Sequence, residues 1–296
     1  MKILITGASG LIGNYLLEYY LKDNDVIAIY RNSKPRVQDV SSNIKFIRHD
    51  ISQDIKGLEH VDIIIHAAAH THLITHSTAF DYIQSNIMGT LSLANYAKVI
   101  RPRLFIFLST LSAYGEILAD EINEDTPLNK PEMYGLSKYT GELILKEYED
   151  YFPSICIRLP GVVGAGYFTP WIGSVLIKAA KDDPITIYNS ESIFNNIVDL
   201  SEIQRFISWI SDREFSGSDS FNLAANEPIT IRKVVDLIVS LTGSQSKIIE
   251  QDTNKKSFSI ETEKVNQIFG FIPTSTTKII CRYVEQNKID LSKYKV

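Results

Sequence analysis

The sequence predicts an α/β fold, a doubly wound parallel sheet followed by a smaller C-terminal α/β lobe. Short runs of β-branched residues alternate along the chain with longer segments in which apolar residues recur every three or four positions. Within the short runs the apolar residues are nearly continuous, as expected of strands that helices cover on both faces. Repeated strand–helix–strand order predicts right-handed crossovers and therefore parallel neighbouring strands.

The alternation is most regular before Arg158. Strands are expected at residues 2–6, 26–30, 44–50, 62–66, 103–110 and 154–159, and helices at 11–21, 78–100 and 133–151. Beyond Arg158 the pattern loosens, and one more strand (221–225) and one more helix (231–241) are predicted. We therefore expect a main domain at 1–165, with returns of the chain near 195–225, and a mainly substrate-binding lobe at 166–296.

Composition and charge exclude several classes of protein. The 296-residue chain has a formal net charge of −5 and no long basic run, which argues against a nucleic-acid partner. Its apolar stretches fall short of the roughly 20 residues that cross a membrane, and its first residues, MKILITG, lack the signature of a signal peptide. Cys156 and Cys281 lie far apart, and a buried free thiol is expected for Cys156. These features predict a soluble, cytoplasmic protein without a membrane partner.

A glycine-rich turn joins the first predicted strand to the first helix. Its three glycines permit a tight turn, close approach of the backbone to a pyrophosphate, and packing of the helix on the sheet. The helix then points its first N–H groups at the bound anion. This context predicts a Rossmann-like dinucleotide-binding domain at 1–165; the alternative is a tight turn that binds nothing. The expected cofactor contacts here are Gly7, Gly10, Leu11, Ile12 and Gly13.

The end of the second strand bears on the choice of dinucleotide. A carboxylate there would bind the adenosine ribose 2′-hydroxyl and favour NAD, but the sequence reads IYRNSK. Arg31 can make charge-assisted hydrogen bonds to a 2′-phosphate, so NADP is preferred and NAD stays possible. The alternative is that Arg31 is a solvated loop charge. Further cofactor contacts are expected from the ends of the third and fourth strands: Asp50, Ile51, Ala67, Ala68 and Ala69.

Two residues of the stretch MYGLSKYTGE can support proton transfer. Tyr134 and Lys138 are four residues apart and share one face of the predicted helix. The ammonium group would lower the pKa of the phenol from its usual value of about 10. Such a tyrosine can exchange a proton with a carbonyl/alcohol pair while a nicotinamide moves the hydride. The alternative is an ordinary amphipathic helix with a solvated lysine. Upstream, Ser109 and Thr110 place hydroxyls at the carboxyl end of a strand, where ligands of parallel sheets bind.

Six stretches, TGASGLIG, HAAA, SNIMGTLSLA, FLSTLSAYG, YGLSK and IRLPGVVG, follow one another in residues 1–165. In content and order they resemble the extended short-chain dehydrogenase/reductase family, also called the NAD(P)-dependent sugar epimerase/dehydratase family. The resemblance implies Tyr134 as general acid/base, Lys138 as the group that tunes it and holds the nicotinamide ribose, and Thr110 as a hydrogen-bond partner of the reacting oxygen. It implies that Asn86 supports the site or a proton-relay water, and that the chain forms a homodimer. The remaining cofactor contacts expected are Ser109, Pro160, Tyr134 and Lys138.

The sequence also departs from the family pattern. Sugar dehydratases of the family carry Asp-Glu directly after the threonine, and Leu111 and Ser112 cannot perform that elimination. Nucleotide-sugar members usually have an arginine where this chain has Ser192, and a second near 251–256, where only Lys255 and Lys256 are positive. Lysine lacks the bidentate fork of arginine, which weakens the case for a nucleotide-sugar substrate but leaves the redox site intact.

The stretch HAAAHTHLITHS contains His66, His70, His72 and His76. An H-x-H pair can suggest a metal, but no carboxylate or cysteine cluster accompanies it, so no metal site is expected. A contact of His70 or His72 with the substrate stays open.

The leading hypothesis is an NADPH-dependent reductase of a keto-sugar, with nucleotide-activated sugars as the expected substrates. Tyr134 would protonate the oxygen that Thr110 holds. The alternative is an epimerase that keeps its cofactor, oxidises a sugar hydroxyl and returns the hydride to the other face. The missing carboxylate after the second strand favours reduction, because tightly held NAD is usual for such epimerases. A third hypothesis, a catalytically silent NADP-binding sensor, would require none of Thr110, Tyr134 and Lys138.

Overall fold

The computed structural model describes residues 1–37, 42–55, 57–169, 171–253 and 257–291. Within these residues the chain divides into two compact units, each assembled from three separate segments. The first unit comprises the described residues of Met1–Glu116, Pro127–Arg158 and Gln204–Phe221, and the second those of Ile117–Thr126, Leu159–Ile203 and Asn222–Val296.

The strands and helices follow one another along the whole described chain. The strands are β1 (Lys2–Thr6), β2 (Asp25–Tyr30), β3 (Ile44–Arg48), β4 (Ile63–His66), β5 (Leu104–Thr110), β6 (Glu121–Ile122), β7 (Ser154–Leu159), β8 (Gly161–Val163), β9 (Ile185–Tyr188), β10 (Ile193–Phe194), β11 (Ile197–Asp199), β12 (Ser218–Asn222), β13 (Ile229–Thr230), β14 (Ile248–Gln251) and β15 (Ser259–Ile260). The α-helices are α1 (Leu11–Tyr20), α2 (Ala79–Tyr82), α3 (Gly89–Ile100), α4 (Met133–Glu147), α5 (Trp171–Ala180), α6 (Leu200–Ser211), α7 (Ile231–Thr242), α8 (Glu263–Phe269) and α9 (Thr276–Leu291). A π-helix (Ile83–Met88) joins α2 to α3, and a 3₁₀ turn (Leu111–Tyr114) follows β5.

A seven-stranded parallel sheet in the order β12-β7-β5-β4-β1-β2-β3 confirms the predicted α/β, Rossmann-like fold. β1 pairs with β2 on one side and with β4 on the other, so the strand order reverses at β1. Thr6 at the end of β1 lies opposite His66 at the end of β4. Ligands of open parallel sheets bind outside the carboxyl ends of the strands at such a reversal, which makes this edge the place to look for a site.

One face of the sheet packs against α3 and α4 through a shared cluster of buried apolar side chains. Leu4 and Phe107 on the strands contact a buried cluster that includes Leu93 of α3 and Leu145 of α4. Each of these four side chains is 0% exposed. Burying one such side chain stabilises the fold by about 1.5–3 kcal/mol. The packing therefore fixes both helices against the strand ends that carry the predicted site.

In the second unit, helices α5, α7 and α9 enclose one apolar core. Leu176, Ile187, Val234 and Ile280 are buried members of this cluster. Short strand pairs border it: β8 with β11 and β9 with β14 are parallel, and β10 with β13 is antiparallel. Within the described ranges, no helix has the length and apolar content to span a membrane.

Three predicted elements differ from the structure by more than two residues, and one of them is the helix expected at 133–151, which ends at Glu147. The helix expected at 78–100 is interrupted by the π-helix, although Thr78 caps its start in a reciprocal arrangement with Asp81. The strand expected at 221–225 lies at Ser218–Asn222. Residues 223–225 are buried and apolar and so resemble a strand, but they extend past the sheet, and the Ala225 amide bonds to the Ile197 carbonyl instead.

Candidate active site

The glycine turn between β1 and α1 is packed so tightly that two of its positions exclude a side chain. Gly7 has a φ of +65°, and a Cβ there would lie 2.6 Å from the backbone nitrogen of Ala68. A Cβ on Gly13 would lie 2.1 Å from the Gly7 carbonyl oxygen. The N-cap residue of α1 is Gly10, so no capping side chain satisfies the N–H groups of the first helical turn. This cradle fits a dinucleotide pyrophosphate.

A groove of about 310 Å³ opens at the carboxyl ends of β1, β2, β3 and β4. It has the size and position expected for the adenosine side of a dinucleotide site. Leu11, Ile12 and Gly13, which form the first turn of α1, do not line it. The predicted cofactor residues that do line it are Gly7, Gly10, Arg31, Asp50, Ile51, Ala67, Ala68 and Ala69.

Residues 31–37, the described part of the chain directly after β2, place the Arg31 cation at the groove and contain no carboxylate. The Arg31 side chain is exposed and donates through Nη1 to the hydroxyl of Ser85, at 3.1 Å. Arg48 donates through Nε to the Arg31 carbonyl oxygen, at 3.2 Å. Asp50 accepts the backbone N–H of Ser52, at 3.0 Å, which fixes the turn after β3. The Arg31 guanidinium lines the groove and is a cation that can bind a phosphate there.

Tyr134 and Lys138 lie one turn apart near the start of α4, in the part of the helix that packs against the sheet. The half-buried Tyr134 ring has its centroid 5.2 Å from that of His72 and 6.3 Å from that of Tyr82. Lys138 is only 2% exposed, and its ammonium lies 3.9 Å above the centre of the Phe107 ring. Burial lowers the pKa of Lys138 to about 7, while the nearby Cys156 and Glu142 groups act in the opposite direction.

The first turn of α4 approaches the 3₁₀ turn after β5 as closely as a glycine allows. A Cβ on Gly135 would lie 2.0 Å from the Ser112 carbonyl oxygen. In the same turn the Thr110 hydroxyl oxygen accepts the backbone N–H of Ser112, at 3.1 Å. Because that oxygen accepts in this bond, the hydroxyl hydrogen of Thr110 is the group that can be donated to a substrate oxygen.

Asn86 lies in the π-helix and is 2% exposed. Its Oδ1 accepts the backbone N–H of His70 at 2.7 Å, and its Nδ2 donates to the His70 carbonyl oxygen at 3.0 Å and to the Ser137 hydroxyl at 2.8 Å. Both amide hydrogens are thereby used. The side chain ties the loop after β4 to α4, and its role in the reaction stays a prediction.

The buried residue His66 joins three elements. Its Nδ1 lies 2.8 Å from the Thr6 hydroxyl and its Nε2 lies 3.1 Å from the Thr90 hydroxyl. Burial, and to a smaller extent the charge of Lys138, holds the pKa of His66 well below its ordinary value. In the sequence, His66 is notable only as the first histidine of HAAAHTHLITHS, where no metal site is expected. No group of three or more His, Cys, Asp or Glu side chains converges on a metal site within the described ranges.

A second buried network lies farther along α4. Glu142 receives both Nε and Nη2 of Arg158, the latter at 2.7 Å, and the Ser109 hydroxyl donates to it at 2.5 Å. Arg158 also donates to the Tyr114 hydroxyl, at 2.8 Å. Ser109, predicted as a cofactor contact, thus bonds to this ion pair. The sequence alone did not predict the ion pair of Glu142 and Arg158. The position of Glu142, four residues after Lys138 on the same helix face, could have indicated a buried carboxylate.

The remaining predicted residues lie in the second unit or outside the described residues. Pro160 is half-buried between β7 and β8. Ser192 lies in the turn before β10, where its carbonyl oxygen accepts the backbone N–H of Ile231. Lys255 and Lys256 fall outside the described residues.

Curated relatives resemble this chain over nearly its whole length. An uncharacterized UDP-glucose epimerase of Bacillus subtilis, YtcB, is 27% identical over 311 residues, which cover 94% of this chain and 95% of the relative. Human dTDP-D-glucose 4,6-dehydratase is 25% identical and covers 90% of this chain and 83% of its own length.

Solved structures share the fold. A UDP-glucuronic acid 4-epimerase from Bacillus cereus, in complex with NAD, superposes with a TM-score of 0.82 at 23% identity and full coverage of both chains. A UDP-glucose 4-epimerase from Thermotoga maritima superposes with a TM-score of 0.81 at 21% identity, covering 98% of this chain and 100% of that one.

The sequence model of the NAD dependent epimerase/dehydratase family matches residues 3–224, about three quarters of the chain. The matched range contains the glycine cradle, the Thr110 turn and the Tyr134–Lys138 pair. The resemblance to enzymes of the extended short-chain dehydrogenase type is therefore confirmed. The chain belongs to the NAD dependent epimerase/dehydratase family.

Proposed function

We propose that this protein is an NAD-dependent nucleotide-sugar epimerase. The sequence alone favours an NADPH-dependent keto-sugar reductase, and the comparisons support the epimerase better. That support comes from the family match and from the full-length likeness to a UDP-glucose epimerase. The residues themselves could not separate the two reactions, because both use the same phenol, ammonium and hydroxyl.

One observation carries the proposal. Tyr134 and the buried Lys138 share a helix face beside a 3₁₀ turn whose first two residues, Leu111 and Ser112, carry no ionisable group. Proton exchange at a sugar oxygen needs the Tyr134–Lys138 pair. Elimination of water from the sugar would need an additional acid and base, and this turn supplies neither. The arrangement therefore supports reversible oxidation of a hydroxyl without dehydration.

The glycine cradle and the groove beside it fit NAD, and the bound nicotinamide would supply the hydride acceptor and donor. Tyr134 would take the proton of the sugar hydroxyl at its phenolate oxygen and return it after the hydride has come back to the opposite face. The positive charge of Lys138 stabilises that phenolate. Thr110 would donate its hydroxyl hydrogen to the same sugar oxygen and so hold it in place.

NADP is the second candidate cofactor. The described residues 31–37 after β2 include Arg31, whose side chain lines the groove, and no carboxylate, so the groove can accept a 2′-phosphate. We propose NAD as the working cofactor because the family is NAD dependent. NADP would bind at the same site as an alternative. Extraction of the nucleotide from purified protein followed by chromatography would identify it directly.

We propose that the substrate is a nucleotide sugar held mainly by residues 166–296, while residues 1–165 hold the cofactor. Relatives whose names or structures include UDP-glucose, UDP-glucuronic acid and dTDP-glucose support this substrate class. Ser192 cannot supply the charge that an arginine would give to a diphosphate. We therefore expect weaker affinity for the nucleotide part than an arginine-bearing site would have.

We further propose a homodimer formed through α3 and α4. Leu136 and Leu143 are seven residues apart on the face of α4 opposite the Tyr134–Lys138 pair, and each is more than 40% exposed. Val99 of α3 is 81% exposed. Light scattering should report twice the chain mass for the native protein, and the double variant Leu136→Glu/Leu143→Glu should be monomeric.

The function is tested by incubating the purified protein with UDP-glucose, UDP-glucuronic acid or dTDP-glucose without added cofactor. Inversion at one sugar carbon, detected by NMR, is the expected result. Tyr134→Phe should reduce turnover at least a thousandfold, because the proton acceptor is lost. Tyr139→Phe, on the same helix, is the matched control and should keep wild-type turnover. Stoichiometric consumption of NADPH to give a reduced sugar would overturn the proposal in favour of the reductase.

A further inference from the structure

We propose that His66 is a positioning residue of this reaction, linking the strand beneath the glycine turn to the backbone of Tyr134 through a chain of buried hydrogen bonds. The inference rests on the proposed function and deepens it, because it names a residue that aligns the groups in the same site.

The first part of the chain fixes the tautomer of His66. The Thr90 hydroxyl donates to the Asn86 carbonyl oxygen at 2.7 Å, a bond in which the carbonyl can only accept. The Thr90 oxygen must then accept from Nε2–H of His66, at 3.1 Å. Nδ1 of His66 is left as an acceptor for the Thr6 hydroxyl, at 2.8 Å. The Thr6 oxygen in turn accepts the backbone N–H of Ala68, at 3.3 Å. Every donor in this part therefore points in one direction along the chain.

The second part reaches the proposed general acid/base. The Asn86 side-chain amide donates to the Ser137 hydroxyl at 2.8 Å, and that hydroxyl donates to the Tyr134 carbonyl oxygen at 2.8 Å. Ser137 lies directly before Lys138 in the sequence, so the bond anchors the turn that presents both catalytic groups. The chain therefore runs from Ala68, which lines the cofactor groove, to the turn that carries Tyr134.

Solvent does not interrupt this chain because its side chains are almost fully buried. In a dry environment such hydrogen bonds are electrostatically stronger than in water, and a partner that is lost cannot be replaced by a water molecule. The buried side chains that form it are Thr6, His66, Thr90 and Ser137 at 0% exposure and Asn86 at 2%.

A histidine suits this position because its ring offers one donor and one acceptor at opposite ends and stays neutral. Protonation would make Nδ1 a second donor, facing the Thr6 hydroxyl, and would add a cation near Lys138. Burial strongly disfavours that protonation, so its pKa stays well below the ordinary value. Hydride and proton transfer depend on placement to a fraction of an ångström, and a locked ring between β1, β4 and α3 supplies such rigidity.

The test compares two substitutions that each keep one end of the ring. His66→Asn places an amide near the former Nδ1 and keeps an acceptor for Thr6, but it does not reach Thr90. His66→Gln reaches the position of Nε2 and keeps the donor to Thr90, on the side that leads to Tyr134. We expect kcat to fall at least tenfold in His66→Asn and to recover to within about threefold of wild type in His66→Gln. KM and nucleotide affinity should change less than threefold in both.

A double-mutant cycle with Thr90→Val separates positioning from general stability. If His66 acts through Thr90, then Thr90→Val should lower kcat as His66→Asn does, and combining the two should cause no further loss. Equal loss of kcat in His66→Asn and His66→Gln, or multiplicative losses in the double variant, would overturn the proposal. If a His66 variant does not fold, the tautomer of His66 in the wild type decides the proposal.

A second measurement is independent of turnover. ¹⁵N NMR of histidine-labelled wild type should show His66 as the neutral Nε2–H tautomer from pH 5.5 to 8. An Nδ1–H tautomer, or titration near pH 6.5, would disprove the hydrogen-bond chain. If the wild type interconverts no sugar while the tautomer is as expected, the proposed function fails. The chain of hydrogen bonds is then confirmed as a structural feature only. The two failures are therefore distinguishable.

Discussion

Replacing Lys138 by methionine should stabilise the nucleotide-stripped protein while abolishing its activity. Burial lowers the pKa of Lys138 from 10.5 to about 7, so the folded protein binds this proton less readily than the unfolded chain does. The difference of about 3.5 pKa units corresponds to about 5 kcal/mol when both states are protonated, and to about 4 kcal/mol at pH 7. The penalty applies in full below pH 7 and disappears as the pH rises toward 10.5.

Methionine keeps most of the apolar stem of Lys138 and removes the charge. Allowing for the lost ammonium contact with the Phe107 ring, we expect Lys138→Met to raise the free energy of unfolding by about 2–4 kcal/mol at pH 7. The gain should shrink steadily between pH 7 and pH 10. Tm should rise by at least about 4 °C at pH 7, while turnover falls to background.

The assay is thermal and denaturant unfolding of stripped protein at intervals from pH 6 to pH 10. Lys146→Met is the matched control, because Lys146 lies on the same helix with a 57% exposed side chain paired to Glu149. Its free energy of unfolding should change by less than about 0.5 kcal/mol at any pH. A Lys138→Met variant that is destabilised at pH 7, or whose stability gain does not depend on pH, would refute the claim that a buried ammonium opposes folding.

Three further predictions test other parts of the site. In Gly13→Ala the new Cβ would lie 2.1 Å from the Gly7 carbonyl oxygen. We therefore expect a loss of about 1–3 kcal/mol in the free energy of unfolding and at least a tenfold loss of NAD affinity, measured by calorimetry. Unchanged affinity would contradict the role of the glycine turn in NAD binding. Arg158→Met should destabilise the protein by about 3–5 kcal/mol by leaving Glu142 buried without its cation. Adding Glu142→Gln should recover much of that loss in urea unfolding, and an additive further loss would show that the pair is not coupled. Arg31→Asp should weaken NADP binding at least tenfold more than NAD binding, because Arg31 lines the groove and can bind a 2′-phosphate. Competition titration measures both affinities. Equal effects would show that Arg31 does not face the 2′-position of the adenosine ribose.

Local patterns predicted six of the seven strands of the sheet, all except β12, and the residue groups of the candidate site. β1 and β7 have the predicted limits because β-branched runs bounded by polar residues are a local signal. The glycine spacing and the i, i+4 spacing of Tyr134 and Lys138 are local as well, and the structure places both at the carboxyl edge of the sheet or the helix beside it. The roles assigned to these residues stay predictions.

Features that depend on distant partners could not be read from such patterns. His66 bonds to Thr6, 60 residues away, and Arg158 bonds to Glu142 on another element. The π-helix at Ile83–Met88 leaves the apolar spacing of 78–100 nearly unchanged, so periodicity predicts one continuous helix. Helix α9 was missed for a different reason: its amphipathic spacing is present in the sequence but lies beyond the regular alternation that guided the prediction.

The edge strand β12 has a consequence for biosynthesis. It joins β7 only after residue 222 has left the ribosome, although the other six strands of the sheet are complete by residue 159. Until then β7 exposes unpaired backbone groups, which invite pairing with another chain. A shortened gene that stops at residue 165 should for this reason yield aggregated protein, and any split of the chain for complementation should place the break after β12.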